Sequence, residues 1–314
     1  MTTVPSGRLT GVVPPVCTPF TPDGEVDVRS LERLVDHLVD NGVDALFTLG
    51  SSSEVAFLTD RQRALVLQTV IDRVGGRVPV LAGVIDMTTP RVIEHAQAAA
   101  KAGSNGLVAT APFYTRTHPA EIERHFRLIA ASVDVPLYAY DLPVSVHTKL
   151  GAPMLLDLAA EGVLAGLKDS SGDEAGLRQL LVARSERGAA LDGFSVLTGS
   201  EVTVDLAFAM GADGVVPGLG NVDPAGYVRL HRLCREGDQA AARQEQERLL
   251  RLMRLADVGD ASRMGRNSSA IGGFKAALHL LGVIDCASTA APQIALDEAE
   301  IGVVRGHLEA AGLL

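Results

Sequence analysis

One lysine occupies a position where nucleophilic chemistry is expected. Lys168 ends the apolar run Val-Leu-Ala-Gly-Leu and precedes the polar turn Asp-Ser-Ser-Gly. It is one of only four lysines, because arginine supplies most of the basic residues. Burial at the end of an apolar strand disfavours the ammonium form and supplies the free amine that attacks a carbonyl carbon. A lysine that reaches to the surface or pairs with Asp169 is the alternative.

Two tyrosines end the apolar segment that comes before the one carrying Lys168. Tyr138 and Tyr140 are two residues apart, so their side chains share a face if the segment is a strand. A tyrosine at the end of a strand can relay protons during addition to a carbonyl. Packing as an aromatic plug in the core is the simpler alternative.

A hydroxyl-rich turn follows an earlier apolar segment. In the run Gly-Ser-Ser-Ser-Glu at 50–54, consecutive hydroxyls and backbone amides suit a carboxylate ligand. An ordinary loop or a helix cap explains the same residues equally well. Another short motif, Pro-Phe-Tyr at 112–114, also follows an apolar segment and ends in Tyr114.

The candidate residues all follow short apolar segments that alternate with segments of helical periodicity. Glycines after the helical segments, and Ser, Thr or Pro at their starts, support these boundaries. The predicted strands are Val12–Val16, Ala45–Leu49, Val78–Val84, Gly106–Thr110, Leu137–Tyr140, Val163–Lys168, Phe194–Thr198 and Gly214–Val216. The predicted helices between them are Val28–Asn41, Asp60–Val74, Thr88–Ala102, Pro119–Ser132, Ala152–Ala160, Asp173–Ser185, Val202–Met210 and Pro224–Arg235.

This alternation favours a (β/α)8 TIM barrel, because strands that alternate with helices pair in parallel through right-handed crossovers. A doubly wound sheet is the competing architecture, but the first strand leads into Cys-Thr-Pro-Phe rather than a glycine-rich dinucleotide turn. The alternation stops near Asp238. We therefore predict a catalytic barrel of residues 1–237 and a C-terminal helical extension of residues 238–314. The three helices predicted there are Gln239–Leu255, Ser268–Leu281 and Asp297–Ala311, with an exposed loop at 257–267.

Taken together, the pattern resembles the dihydrodipicolinate synthase / N-acetylneuraminate lyase family of class I aldolases. The most specific part is Tyr140-Asp-Leu-Pro, then Leu150, then Leu164-Ala-Gly-Leu-Lys168-Asp-Ser. The spacing from Tyr140 to Lys168 and the order of the other turns match that family, and the resemblance spans Arg8 to Leu281. It implies that Lys168 forms an imine with a 2-oxo acid, and that Tyr140 moves protons to and from the substrate.

The resemblance also implies roles for the two turns. Ser51 and Ser52 would bind the carboxylate of the 2-oxo acid, and Ser51 would link Tyr140 to Tyr114 of the partner subunit. An oligomer follows from that role, either a tetramer or a dimer. The other implied pocket-lining residues are Gly199 and Val216.

Three departures from the family pattern bear on the substrate. Dihydrodipicolinate synthases typically carry an arginine two residues after the proline of this turn, where it holds the carboxylate of the second substrate. Here that residue is Ser145, which cannot replace a bidentate guanidinium. The turn also has Asp141 instead of the frequent asparagine, and Ser53 replaces the usual glycine before Glu54. We therefore favour a lyase for 2-keto-3-deoxy sugar acids or similar compounds, with dihydrodipicolinate synthase proper as the alternative.

Composition excludes several classes of partner. The net charge of −10 and the 4% of aromatic residues disfavour nucleic acid, and no apolar run is long enough to cross a membrane. The beginning of the chain lacks the pattern of a secretory signal, and three widely spaced cysteines suit a reducing cytoplasm. No cofactor or metal is expected, and Glu121 and His125 are assigned to a solvated helix face.

Two other classes of function remain open. A barrel that binds 2-oxo acids without catalysis would retain the fold and lose the chemistry. A phosphate-binding isomerase would need a glycine-rich turn after strand seven or eight, and Gly-Leu-Gly-Asn at 218–221 matches this weakly. His147 and Lys149 could contact an acidic substrate, although a solvated loop is the simpler interpretation.

Overall fold

Eight parallel strands close into a barrel in the computed structural model, which describes residues 8–314. Strands pair in the order β1-β8-β7-β6-β5-β4-β3-β2, and a parallel bridge between Pro15 and Phe47 joins the first strand to the second. This confirms the predicted (β/α)8 barrel. The strands are β1 Gly11–Val12, β2 Leu46–Thr48, β3 Val80–Gly83, β4 Gly106–Thr110, β5 Leu137–Asp141, β6 Gly166–Asp169, β7 Ser195–Thr198 and β8 Gly214–Val215.

The first strand is shorter than predicted because two prolines interrupt it. Pro14 and Pro15 have no amide hydrogen and cannot donate to a neighbouring strand. This segment still pairs with β2 and closes the barrel, since Phe47 N donates to Pro14 O at 3.0 Å and Val16 N donates to Phe47 O at 2.8 Å. The barrel is thus closed by a few hydrogen bonds rather than by a continuous ladder.

Helices follow the strands around the barrel, close to the predicted positions. Helix α2 begins where predicted because Thr59 and Gln62 form a capping box, and α3 ends at Gly103, whose φ of 97° suits glycine. The barrel helices are α1 Val28–Asp40, α2 Asp60–Val74, α3 Thr89–Ala102, α4 Pro119–Ala130, α5 Pro143–Val146, α6 Ala152–Ala160, α7 Glu174–Glu186, α8 Val204–Met210 and α9 Pro224–Glu236. The short α5 was not predicted, because a single turn has no periodicity to detect.

The C-terminal extension contains α10 Gln239–Leu252, α11 Arg266–Leu280 and α12 Glu298–Ala310. The prediction that the first of these runs to Leu255 was wrong, since the chain tightens into a 3-10 helix at Met253–Asp257. Most residues of the loop at 257–267 are exposed, as predicted. Helix α11 packs against this 3-10 helix and against α12, and most of its residues are buried.

Apolar side chains pack in two layers. The larger layer lies between the strands and the surrounding helices. The smaller layer fills the barrel interior and contains both tyrosines of β5, which therefore share a face as predicted. Gly166 makes room for one of them, because a Cβ atom there would lie 2.5 Å from the Tyr138 ring. Residues of this inner layer are Leu9, Val13, Ala45, Phe47, Leu81, Val108, Tyr138, Tyr140, Leu197 and Val216.

Within residues 8–314, no helix is long and apolar enough to cross a membrane. Residues 1–7, which were assigned to the barrel domain and in which no secretory signal was predicted, lie outside the described residues.

Candidate active site

Lys168 and Tyr140 occupy paired positions on β6 and β5. The Lys168 side chain is 6% exposed, and its Nζ lies 4.0 Å from the centroid of the Tyr140 ring and 4.9 Å from that of Phe47. The alternative pairing with Asp169 is not observed, because that carboxylate accepts a hydrogen bond from Ser171 N at 2.8 Å and faces Lys149 at 3.8 Å. The amine therefore sits among aromatic rings at the carboxyl end of the barrel.

The Tyr140 hydroxyl is held between polar groups. It lies 3.4 Å from the Ser51 hydroxyl. Burial alone would raise the pKa of Tyr140, but the nearby Lys168 charge and hydrogen bonds with Ser51, Lys168 and Ser170 outweigh burial and lower the pKa below its usual value. A phenol that releases its proton more readily, next to a primary amine, is suited to proton transfer.

The turn at 50–54 is held in place by hydrogen bonds within the turn and to the preceding part of the chain. The hydroxyl of Ser53 donates to Val16 O at 2.5 Å and accepts from Gly50 N at 3.2 Å, so the serine found in place of glycine ties the turn to the segment that follows β1. Glu54 ends the turn with a left-handed φ of 58°. Ser51 and Ser52 are left facing the cavity above Lys168.

A cavity of about 420 Å³ brings together six of the seven predicted site residues. Its floor is formed by Lys168 and Tyr140, and the C-terminal extension contributes part of the wall through α11 and the 3-10 helix before it. The predicted residues on the cavity wall are Ser51, Ser52, Tyr140, Lys168, Gly199 and Val216. The extension adds Met253, Arg254, Asp257, Arg266, Asn267 and Phe274.

Tyr114 is the one predicted residue that does not line this cavity. Its side chain is 89% exposed, and its backbone has a left-handed φ of 74°. Its role from a partner subunit stays a prediction.

A second cavity, of about 300 Å³, opens on the other side of Ser51. Apolar side chains dominate its wall, and Ser51 and Asn267 border both cavities. Its apolar wall is formed by Val55, Ala56, Phe57, Ile85, Phe113, Leu142 and Val146.

Glu201 is a cavity residue that sequence analysis did not select. Burial raises the pKa of its carboxyl, while hydrogen bonds from the Tyr227 hydroxyl and from Leu219 N, both at 2.8 Å, oppose that shift. Its position just after β7 was the available signal, because catalytic groups gather at the carboxyl ends of barrel strands. The Glu201 carboxylate therefore accepts a hydrogen bond from the turn at 218–221, where a phosphate-binding isomerase would bind its ligand.

The structure gives Lys149 a partner that the sequence did not predict. It forms an ion pair with the fully buried Asp141, whose other oxygen accepts from Leu150 N at 3.1 Å. Burial raises the pKa of Asp141, and Lys149 opposes the shift. The aspartate found in place of asparagine is therefore paired within the chain. Lys149 lies in an exposed loop, as expected, but its charge is engaged by Asp141 rather than free for a substrate. His147 is exposed, as expected.

The assignment of His125 to a solvated face was wrong. Glu121 is exposed, but His125 is 1% exposed and its pKa is lowered by burial to about 4. The ring is held from both sides: Nε2 donates to Thr110 O at 3.2 Å, and Nδ1 accepts from the Thr89 hydroxyl at 2.9 Å. His125 lies on the same face of α4 as the buried Ile122 and Ile129, so the helical period of the apolar residues was the signal that could have placed it in the interior.

Known proteins share this architecture. A sequence model of the dihydrodipicolinate synthetase family matches residues 8–311. An uncharacterized DapA-like lyase of Halobacterium salinarum is 35% identical over 306 residues, which cover 98% of this chain and 95% of that protein. A 4-hydroxy-tetrahydrodipicolinate synthase of Salinibacter ruber is 34% identical over 246 residues, which cover 78% of this chain and 79% of that protein.

YagE of Escherichia coli K12, provisionally named a 2-dehydro-3-deoxy-D-gluconate aldolase, is 34% identical over 251 residues, covering 80% of this chain and 82% of YagE. The crystal structure of YagE in complex with pyruvate superposes with a TM-score of 0.88 at 30% identity, covering 97% of this chain and 99% of that one.

Proposed function

This chain belongs to the dihydrodipicolinate synthetase family, and we propose that it is a class I lyase that forms an imine between Lys168 and pyruvate or a pyruvate-releasing 2-oxo acid. The family and the lyase class predicted from the sequence are thereby confirmed. The observation that carries the proposed chemistry is the 4.0 Å approach of Lys168 Nζ to the Tyr140 ring, at the floor of a cavity faced by hydroxyls.

The proposed mechanism begins when the free amine of Lys168 attacks the C2 carbonyl of the 2-oxo acid. The carbinolamine loses water to give a protonated imine, and Tyr140 supplies the proton that the departing hydroxyl needs. Tyr140, deprotonated by that step, takes the proton of the C4 hydroxyl as the C3–C4 bond breaks. The electron pair of that bond passes into the iminium to give an enamine, and C4 leaves as an aldehyde. Protonation at C3 and hydrolysis of the imine then release pyruvate and restore the amine.

Carboxylate binding is assigned to Ser51 and Ser52. Both face the same cavity as the amine, and their hydroxyls and the turn's amides are donors that suit a carboxylate. Ser51 also touches the Tyr140 hydroxyl, so carboxylate binding and proton transfer meet at one residue. Gly199 keeps its part of the wall open, because a Cβ atom there would lie 2.0 Å from the Ser170 hydroxyl oxygen.

A homo-oligomer, either dimer or tetramer, is part of the proposal. Tyr114 and Val144 are 89% and 78% exposed, which supports a partner surface at this end of the barrel. Tyr114 of the partner subunit would then approach Ser51 and complete the proton path. A cytoplasmic setting is also proposed, supported by three cysteines that all remain unpaired.

The proposed substrate is a 2-keto-3-deoxy sugar acid or a similar pyruvate-releasing compound. Ser145 supplies no guanidinium for the carboxylate of a second substrate, and Lys149 is occupied by Asp141. The name of YagE and its complex with pyruvate support this choice. Dihydrodipicolinate synthase proper is the second candidate, favoured by the name of the Salinibacter ruber relative.

The deciding experiment traps the imine. The protein is incubated with pyruvate, reduced with borohydride and digested, and the adduct is located by mass spectrometry, with Lys168→Ala as the matched control. A pyruvate-sized adduct on Lys168 that is absent from the variant supports the proposal. Absence of an adduct with pyruvate and with other 2-oxo acids would overturn it in favour of a non-catalytic binding barrel.

A further inference from the structure

A lysine and a glutamate form an ion pair in the interior, behind the cavity. Lys275 lies on α11 and is 0% exposed, and Glu54 at the end of the serine turn is 1% exposed. Charged residues are almost never buried this completely unless they are paired. Two charges separated by 221 positions in sequence therefore meet between the barrel and the extension.

Further contacts hold both charged groups in place. Lys275 Nζ donates to Ser288 O at 2.9 Å and lies 4.2 Å from the centroid of the Phe20 ring, while Glu54 Oε1 accepts from Ala290 N at 2.7 Å. Burial raises the pKa of Glu54 and lowers that of Lys275, and the opposite charge of each partner works against the shift of the other. The Glu54 carboxylate is thus held by Lys275 of α11 and by the backbone of the segment that follows this helix.

That carboxylate is attached to the turn that faces the catalytic amine. Glu54 N donates to Ser51 O at 3.0 Å, and the left-handed φ of 58° at Glu54 fixes the direction in which the turn leaves it. Moving the Glu54 side chain would therefore move the backbone of Ser51 and Ser52. Ser53, anchored to Val16, holds the other side of the turn.

We propose that Lys275 is a positioning residue: through Glu54, it holds Ser51 and Ser52 where they receive the carboxylate of a 2-oxo acid bound at Lys168. This rests on the proposed function, because it assigns the serine turn to that carboxylate. The extension accordingly contributes twice to the site, once by lining the cavity with the first turns of α11 and once by fixing the turn opposite.

A role in stability alone would not require charges here. Buried ion pairs are often replaceable by apolar residues of similar volume without loss of stability, whereas removal of one partner leaves an uncompensated buried charge. A pair with fixed hydrogen bonds specifies one geometry of the turn, which apolar side chains do not. Stability and positioning can therefore be separated by neutralising both partners together.

The test compares the wild type with the double variant Glu54→Gln/Lys275→Met, with imine trapping on Lys168 as the readout. Pyruvate and acetone are the two probes, because both offer a carbonyl and only pyruvate offers a carboxylate. We expect the pyruvate concentration for half-maximal trapping to rise about tenfold, the loss of one good hydrogen bond to a charged group. The trapping of acetone, which has no carboxylate for the turn to bind, should change much less than the trapping of pyruvate.

The matched control is Arg184→Met/Asp213→Asn, which removes another ion pair whose side chains are each 8% exposed. Asp213 also pairs with the half-buried Arg8 at 3.2 Å, and none of these three residues lines the cavity. This control variant should trap pyruvate and acetone at the same concentrations as the wild type. If the Gln/Met variant does not fold, Glu54→Asp is tested instead. It keeps both charges but shortens the side chain that joins the turn to Lys275, and it should also raise the pyruvate concentration for half-maximal trapping.

Unchanged half-saturation by pyruvate in a folded variant, or an equal loss with both probes, would overturn the positioning role. Failure of the wild type to trap pyruvate would instead overturn the proposed function itself.

Discussion

The amine of Lys168 lies over the ring of Tyr140, 4.0 Å from its centroid, because the two residues are paired across β6 and β5. The ring shields the amine from solvent, while the hydroxyl at its far end reaches Ser51 at 3.4 Å. One side chain thus supplies an aromatic wall and, in the proposed mechanism, a proton donor. Substitutions can separate these two contributions.

Replacing Tyr140 by phenylalanine removes the hydroxyl and keeps the ring. We expect turnover of a cleavable 2-oxo acid to fall about 10²–10⁴-fold, the usual contribution of a positioned acid or base. Half-saturation by pyruvate should change little, because the serine turn is intact. Steady-state kinetics with a coupled pyruvate assay measures both quantities. Near-normal turnover in this variant would remove Tyr140 from the proton path.

Tyr114 can be tested by mixing subunits. Tyr114→Phe and Lys168→Ala should each be impaired alone, because one lacks the hydroxyl and the other lacks the amine. When the two are unfolded together, refolded and allowed to assemble, a mixed dimer contains one site with both groups intact. We expect activity above the sum of the separate proteins. Activity equal to that sum would place Tyr114 outside the partner's site, and size-exclusion chromatography must show that oligomers formed.

His125 predicts a pH dependence of stability. Its pKa is lowered from the ordinary value of 6.5 to about 4, so between these values the unfolded chain binds a proton that the folded chain does not. The contribution of His125 is therefore complete above pH 6.5 and is lost as the pH falls to 4. The shift corresponds to about 3 kcal/mol in the free energy of unfolding.

The measurement for His125 is denaturant unfolding of the wild type and of His125→Gln at several pH values. The stability difference between the two should shrink as the pH falls from 6.5 to 4. The exposed His147 supplies the control variant His147→Gln, which should follow the wild type. A difference that stays constant with pH would contradict neutral burial of His125.

Local patterns were sufficient to predict the barrel and to select two candidate residues, Lys168 and Tyr140, that line one cavity. The alternation of apolar and helical segments located all eight strands, and the strand ends identified Lys168 and Tyr140 as candidates. Such predictions succeed because strand pleat and helix period are repeated every few residues, and because parallel strands end at one face of a barrel. Boundaries were wrong where a local exception intervened, as at Pro14 and Pro15.

Partnerships between distant residues could not be predicted in this way. The ion pair of Lys149 with Asp141 was not expected, because the buried partner of a charged side chain leaves no periodic signal in the sequence. Glu201 was passed over for the same reason, since its hydrogen-bonding partners on the turn at 218–221 and on α9 come from elsewhere in the chain.

By itself, then, the sequence determined the fold and the family, and it selected Lys168 as the candidate for the reactive amine. Only the tertiary structure decided how the C-terminal helices join the site: α11 lines the cavity and brings Lys275 to Glu54 across 221 positions. The physical reason is that helix and strand patterns arise from neighbours along the chain. The pairing of buried charges depends instead on which surfaces the packed chain removes from water.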